Sequence, residues 1–349
     1  MRRVSRIAVA SVATAALAVT VSACGSSSSS QSAGGGDKNL GLALAYDVGG
    51  KGDQSFNDAA TAGMDKADQE FGYKSTAVEP QDGESDADKV QRLETLAKQG
   101  YNPVIGVGFA YAPAVKAAAA KFPKTTFGIV DDNQIQASNV TDLVFHEEQA
   151  SYLAGVAAAK TTKTNTVGFV GGVDVPLIHK FEAGFKQGVA DTKKGVTVKS
   201  QYLTQTAAEG GFSSPDKGEN AANGQIDAGA DVVYAAAGLS GQGVIKAASE
   251  HKIWAIGVDS DQYKQDALAK YKDSILTSAM KDVAGAVYNL AKSVKDGKPQ
   301  TGEVRASLAT GGVSLSDSNP VFKNNADLQA AIKKAEEGIK NGSIKVKDS

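Results

Sequence analysis

Short apolar runs separated by amphipathic stretches give this chain its beat. Runs that are apolar nearly throughout stand at Leu40–Tyr46, Pro103–Val107, Thr126–Val130, Asp142–Phe145, Thr166–Val170, Val196–Tyr202, Asp231–Ala236, Ile253–Val258 and Ser274–Ser278. Their length and composition predict buried strands. Between them, apolar residues recur with helical spacing. The predicted helices are Asp58–Phe71, Asp86–Gln99, Ala112–Lys121, Glu147–Lys160, Leu177–Ala190, Gly218–Ala228, Gly243–His251, Val283–Val294 and Asn325–Asn341. Strand and helix in alternation predict an α/β fold with parallel sheets and crossover helices. The beat runs twice, over residues 39–146 and 165–280, without a visible repeat of the sequence itself. Two doubly wound lobes facing each other make a cleft. The expected division puts residues 39–146 and 281–310 in one lobe, and 147–280 with the C-terminal segment in the other. Ligands of such sheets bind beyond the carboxyl ends of the strands.

Those ends carry the unusual residues. Tyr46-Asp47-Val48-Gly49-Gly50 closes the first strand, and Ser55-Phe56-Asn57 opens the helix that follows. Ser55 or Asn57 is expected to cap that helix. Phe56 either packs on its own helix or offers an aromatic face to a planar ligand. Further ends are Gly108-Phe109, Asp131-Asp132, Gly171-Gly172 followed by Phe181 and Phe185, the glycine-rich turn Gly238–Gly243, Val258-Asp259, and Ser278 with Lys281. A carboxylate at the end of a buried strand is costly unless something bonds to it. Asp47, Asp131 and Asp259 beside Lys281 suit a polyhydroxylated ligand, because carboxylates accept bonds from vicinal hydroxyls. Aromatic rings nearby suit a flat moiety. The residues alone therefore suggest a polyol with a planar part.

The first residues read as an address. Arg2, Arg3 and Arg6 precede an uncharged stretch from Ile7 to Val21. A bilayer span needs about 20 residues, so this stretch reads as a secretory h-region. Val21-Ser22-Ala23-Cys24 resembles a lipobox, with cleavage before Cys24 and a lipid on its thiol. The alternative is an ordinary secretory signal with an incidental cysteine. Gly25–Lys38 is Ser/Gly-rich, a flexible tether reaching roughly 20 Å. The expected organisation is a signal peptide at 1–23, a tether at 24–38 and a binding domain at 39–349.

Charge and composition then exclude other classes. Lys and Arg number 37 against 39 acidic residues, so no basic surplus exists for nucleic acid. Cys24 is the only cysteine, which rules out an internal disulfide and a thiolate zinc site. Enzyme motifs fail one by one. Gly238-Leu239-Ser240-Gly241-Gln242 lacks the last glycine of a nucleophile elbow. Ser278–Lys281 has no partner motifs, and His146-Glu147-Glu148-Gln149-Ala150 lacks a second histidine. Asp259-Ser260-Asp261 does not continue as a calcium loop. The expectation is a binding protein, not an enzyme, with no cofactor and no metal.

Several blocks in order carry a family resemblance. They are Asp47-Val-Gly-Gly with Asp53-Gln-Ser-Phe-Asn57, Asn139–Phe145, Glu147–Gly155, Thr164–Gly172 with Pro176, Lys180–Phe185, Gly229–Val233, Ala236–Gly238, Gly257–Gln262, and Ser278 with Lys281. Over roughly residues 40–315 the chain resembles the basic membrane protein family of ABC-transporter substrate-binding lipoproteins. The resemblance implies a type I periplasmic-binding-protein fold with a hinge. It implies nucleoside capture, purine nucleosides foremost, and delivery to a membrane permease with its ATPase. Phe56 would stack on the base, with Phe181 as a second ring. Asp47, Asn57 and Asp131 would bond the base or the pocket wall. Asp259 and Lys281 would hold ribose hydroxyls, and Gly238 would let backbone approach. The alternative is a sugar or signalling molecule in the same fold. Two departures stand out. Gly238-Leu239-Ser240-Gly241 replaces a Gly-Gly-Thr-Gly pattern, and Thr206–Asn223 is longer than usual and reads as a surface insertion.

Overall fold

The computed structural model describes residues 39–81 and 83–349. The signal at 1–23, lipidation at Cys24 and the tether at 24–38 lie outside the described residues. In chain order the first lobe's core elements are β1 (Leu40–Ala45), α1 (Phe56–Phe71), β2 (Lys74–Val78), α2 (Asp86–Gln99), β3 (Val104–Gly106), α3 (Ala112–Lys121), β4 (Phe127–Val130) and β5 (Val140–Phe145). Next come α4 (Glu147–Thr161), β6 (Thr166–Val173), α5 (Pro176–Thr192), β7 (Thr197–Thr204), α6 (Pro215–Asp227), β8 (Val232–Ala236), α7 (Gly241–Glu250), β9 (Trp254–Asp259) and β10 (Ile275–Lys281). The chain ends with α8 (Val283–Lys295), β11 (Gly302–Ala306), β12 (Val313–Leu315), α9 (Pro320–Lys323) and α10 (Ala326–Lys340).

Two six-stranded sheets result, in the orders β11-β5-β4-β3-β1-β2 and β12-β10-β9-β8-β6-β7. Each contains the doubly wound order 2-1-3-4-5, so the duplication expected from the beat is real in topology. Only β12, antiparallel to β10, departs from parallel pairing. The central strands are buried on both faces, with Leu42, Leu44, Ile105 and Phe127 fully inaccessible. Helix α1 packs on α8, and α4 packs on α5 and α10.

The chain passes between the sheets three times: from β5 to α4, from β10 to α8, and from β11 to β12. Three adjacent connections form a hinge. Glu147 and Lys281 stand at two of them.

The pattern reading placed nine strands well and omitted β2, β11 and β12. The first two are half-buried edge strands, Lys74–Val78 and Gly302–Ala306, whose polar residues break any apolar run. The third has three residues. One capping expectation is corrected. Neither Ser55 nor Asn57 caps α1. The Asp53 carboxylate does, accepting from the backbone N–H of Ser55, Asn57 and Asp58 at 2.9, 2.8 and 3.2 Å. A carboxylate is favoured there by the helix dipole.

Candidate functional site

A cavity opens between the carboxyl ends of the two sheets, where ligands of such sheets bind. Asp47, Phe56, Asn57, Asp131, Phe181, Gly238, Asp259 and Lys281 all line it. These are the eight residues singled out in the sequence, and the fold brings every one of them to a single place.

Strand register explains the convergence. In the first sheet Asp47 follows β1 and Asp131 follows β4. In the second, Asp259 ends β9 and Lys281 ends β10, with Asp259 paired to Met280. Asp131 and Asp259 both have positive φ, at 67° and 61°. That conformation is uncommon outside glycine, and residues held in it cluster at functional sites. It turns both carboxylates out of their sheets toward Lys281.

Lys281 is the electrostatic centre. Its Nζ lies 2.7 Å from Asp131 Oδ2 and 3.7 Å from Asp259 Oδ1. It also stands over three rings, at 4.6 Å from the Phe56 centroid, 5.5 Å from Phe145 and 5.6 Å from Phe181. Burial opposes its charge, but Asp131, Asp259 and Glu147 outweigh that and hold its pKa raised. Lys281 is therefore a buried ammonium ion tied to both lobes. One oxygen of each carboxylate is buried without a hydrogen-bond partner in the protein: Asp131 Oδ1, and Asp259 Oδ1, which faces Lys281 only at ion-pair distance, while Asp259 Oδ2 accepts from Ser55 Oγ at 2.8 Å. Buried acceptors in that condition are places for a ligand donor.

The other wall residues are more committed. Asn57 Oδ1 accepts from Asp47 N, and its Nδ2 donates to Asp53 Oδ2. Its first duty is to tie the β1 end to α1. Asp47 Oδ1 accepts from Val48 N at 2.8 Å. Gly108, at φ 102°, is required beside it, because a Cβ there would overlap Asp47 Oδ2. Gly238, at φ 52°, lies under Phe212, whose carbonyl oxygen would stand 3.2 Å from an added Cβ.

Burial pushes the Asp47 carboxyl up to about 7. The sign of the linkage follows. The protonated form suits the fold, so its stabilising contribution is complete below about pH 4 and is lost as pH rises through about 7. Asp47→Asn is expected to raise the ligand-free melting temperature relative to wild type at pH 8, by about 1 kcal/mol or more of stability. At pH 4 the two should melt together. Melting curves of both proteins across that range check this.

Residues 42–349 match the Bmp family, described as ABC transporter substrate-binding protein, PnrA-like. The chain belongs to this family. It is 35% identical over 325 residues to a Lactococcus lactis protein named ABC transporter nucleoside-binding protein BmpA, covering 88% of this chain and 89% of that one. An uncharacterized lipoprotein of Pyrococcus horikoshii is 33% identical over 291 residues, covering 80% and 69%. Among solved structures, an ABC transporter solute-binding protein of Aeropyrum pernix superposes with a TM-score of 0.78 at 26% identity, covering 89% of this chain and 94% of that one. The fold is thus that of periplasmic-binding-type solute receptors, and the protein is an ABC transporter substrate-binding protein. It works with the membrane subunits of a transporter. Among the described residues, no helix is long and apolar enough to cross a membrane, and no group of acidic, His or Cys side chains is set to hold a metal.

Family membership puts the residues missed by the sequence reading in context. Phe212, Leu177 and Ile178 also line the cavity, as do Phe109 and Asp53, which the sequence reading named without giving them a role. Phe212 belongs to the segment Thr206–Asn223, which was read as a surface insertion. That segment instead contributes a wall of the cavity and the first turns of α6. Ser240, in the glycine-rich turn, is fully buried. It donates to Gly211 O at 2.8 Å and accepts from Ser214 N at 2.9 Å. The glycine-rich turn and the segment Thr206–Asn223 are thus one unit: Ser240 staples the loop that presents Phe212. No periodicity marks such a loop. Its signal was an aromatic flanked by small residues, Gly210-Gly211-Phe212-Ser213-Ser214.

Proposed function

We propose that this substrate-binding protein captures nucleosides, purine nucleosides foremost, in the cleft between its lobes and delivers them to an ABC permease. In this reading Cys24 carries the lipid that holds it at the extracytoplasmic face of the membrane, and the Ser/Gly tether sets its distance. The name of the Pyrococcus relative supports the anchor, and that of the Lactococcus relative supports the ligand class.

The observation that carries the reading is the composition of one cavity. Four phenyl rings, Phe56, Phe109, Phe181 and Phe212, line it together with two buried carboxylates that each keep one oxygen without a hydrogen-bond partner. Rings offer stacking to a heterocyclic base, and Asp131 and Asp259 offer acceptors for hydroxyls of the sugar. The stacking partner opposite Phe56 is assigned to Phe212 or Phe181. No bond is made or broken. Ligand contacts favour the closed arrangement of the lobes, and the permease reads that arrangement.

Titration of residues 39–349 with adenosine, guanosine, inosine, uridine and ribose by calorimetry tests this. The expected result is one nucleoside per chain at micromolar affinity or better, about −8 kcal/mol. Purine nucleosides should lead uridine, and ribose should give no heat. Asp259→Ala should weaken nucleoside binding by more than about tenfold, the loss of a charge-assisted bond. Binding of ribose as tight as that of nucleosides, or no nucleoside binding, would sink the proposal.

A further inference from the structure

The lobes are joined by hydrogen bonds that do not belong to the ligand cavity. On the first lobe the turn before α1 presents three backbone carbonyls, those of Gly52, Gln54 and Ser55. On the second lobe three side chains meet them. Gln242 Nε2 donates to Gly52 O at 3.1 Å, Gln262 Nε2 to Gln54 O at 3.1 Å, and Ser260 Oγ to Ser55 O at 2.7 Å. None of Gln54, Ser55, Gln242, Ser260 and Gln262 lines the cavity.

Both sides are built for this contact. Gln54 holds a positive φ of 57°, a costly conformation for its residue type. Asp58 fixes the turn by accepting from Gly52 N at 2.8 Å and Gln54 N at 3.0 Å. Across the gap, Gln262 is buried. Its Oε1 accepts from Val258 N and its own N–H donates to Ser278 Oγ, so its amide nitrogen is aimed outward. Gly257 leaves the room this needs, since a Cβ there would overlap Gln262 Oε1. A donor fixed on one lobe and a carbonyl fixed on the other bond only when the lobes are closed.

We infer that Gln242, Ser260 and Gln262 form a clasp on the turn at Gly52–Ser55 that favours the closed form, and that this clasp sets ligand affinity without touching the ligand. It deepens the nucleoside reading for the affinity arm of its test, but the clasp itself is a property of the chain. Weakening it shifts the open–closed equilibrium by one factor, and the apparent affinity for every ligand falls by that same factor. A residue of the cavity wall would change ligands unequally.

Gln262→Glu is the informative variant. It keeps an acceptor for Val258 N–H and replaces the donor with an oxygen facing Gln54 O. Gln242→Ala, at a half-buried surface position, removes one clasp bond with little risk to folding. The full chain is purified in detergent, and adenosine, inosine and uridine are titrated by calorimetry. Small-angle scattering of the ligand-free chain is recorded in parallel. Gln262→Glu is expected to weaken all nucleosides by about tenfold and Gln242→Ala by about threefold. The ratios between ligands should not move, and the ligand-free radius of gyration should rise. An unchanged affinity, a loss that differs between ligands, or an unchanged scattering curve overturns the clasp. If no nucleoside binds the wild type, the nucleoside reading falls, while the scattering comparison still decides the clasp.

Discussion

Lys281→Met is expected to destabilise the protein by about 3–5 kcal/mol at pH 7.5, read from urea unfolding of the ligand-free chain. The methionine fills most of the lysine's volume, so packing is largely kept. What is lost is the only cation among the residues lining the cavity. Asp131 and Asp259 then remain buried, 5% and 8% exposed at their side chains, with no ammonium ion between them. Removing one partner of a buried pair leaves the full desolvation cost of the other. The pH dependence identifies the cause. Burial holds the Asp131 carboxyl above its ordinary pKa, and losing Lys281 removes the charge that opposes this. Protonation then relieves the strain, and the deficit against wild type should shrink as pH falls from 7.5 toward 5. A deficit that stays constant over that range would point to packing and refute the electrostatic account.

Phe56→Ala is expected to weaken nucleoside binding by about tenfold or more, with Phe56→Tyr close to wild type. Stacking of one base on an aromatic ring is worth about 1–3 kcal/mol, or roughly 5- to 150-fold. Phe56 is the first residue of α1, and Asp53 caps that helix through three backbone N–H groups. The ring is thus placed by the helix start, and its partly buried side chain also packs against the hydrophobic core. Its face also meets Lys281 at 4.6 Å, so the alanine removes a cation–π contact in the same stroke. Calorimetry with inosine and uridine reads the loss. An affinity within twofold of wild type would remove Phe56 from the binding surface.

The parts legible in the sequence are those under one strong constraint. Strands buried on both faces must be apolar, and Val232–Ala236 or Phe127–Val130 announce themselves. Carboxylates after such strands are conspicuous, because only a partner makes them tolerable. That logic found Asp47, Asp131 and Asp259, and the cation that meets two of them. Edge strands such as Lys74–Val78 escape it because one side faces water. Residues that act from loops escape it too. Phe212 reaches the cavity only because Ser240 pins its loop, and that link spans 26 to 29 positions of sequence. The Asp53 cap was hidden by its distance, two residues before the expected position. The interlobe bonds from Gln262 and Ser260 cross more than 200 positions and involve carbonyls, which no side-chain pattern records.

The two last strands have a consequence for the making of the protein. β11 covers β5, and β12 covers β10. Both covering strands come from residues 302–315, after every other strand of either sheet. A chain cut short at about residue 300 therefore ends with two naked edges, Val140–Phe145 and Ile275–Lys281, strands buried along nearly their whole length in the intact protein. Unpaired strands of that kind are templates for sticking to other chains. The C-terminal segment thus keeps newly made molecules apart, and a prematurely terminated product is destined for aggregates rather than for a smaller working receptor.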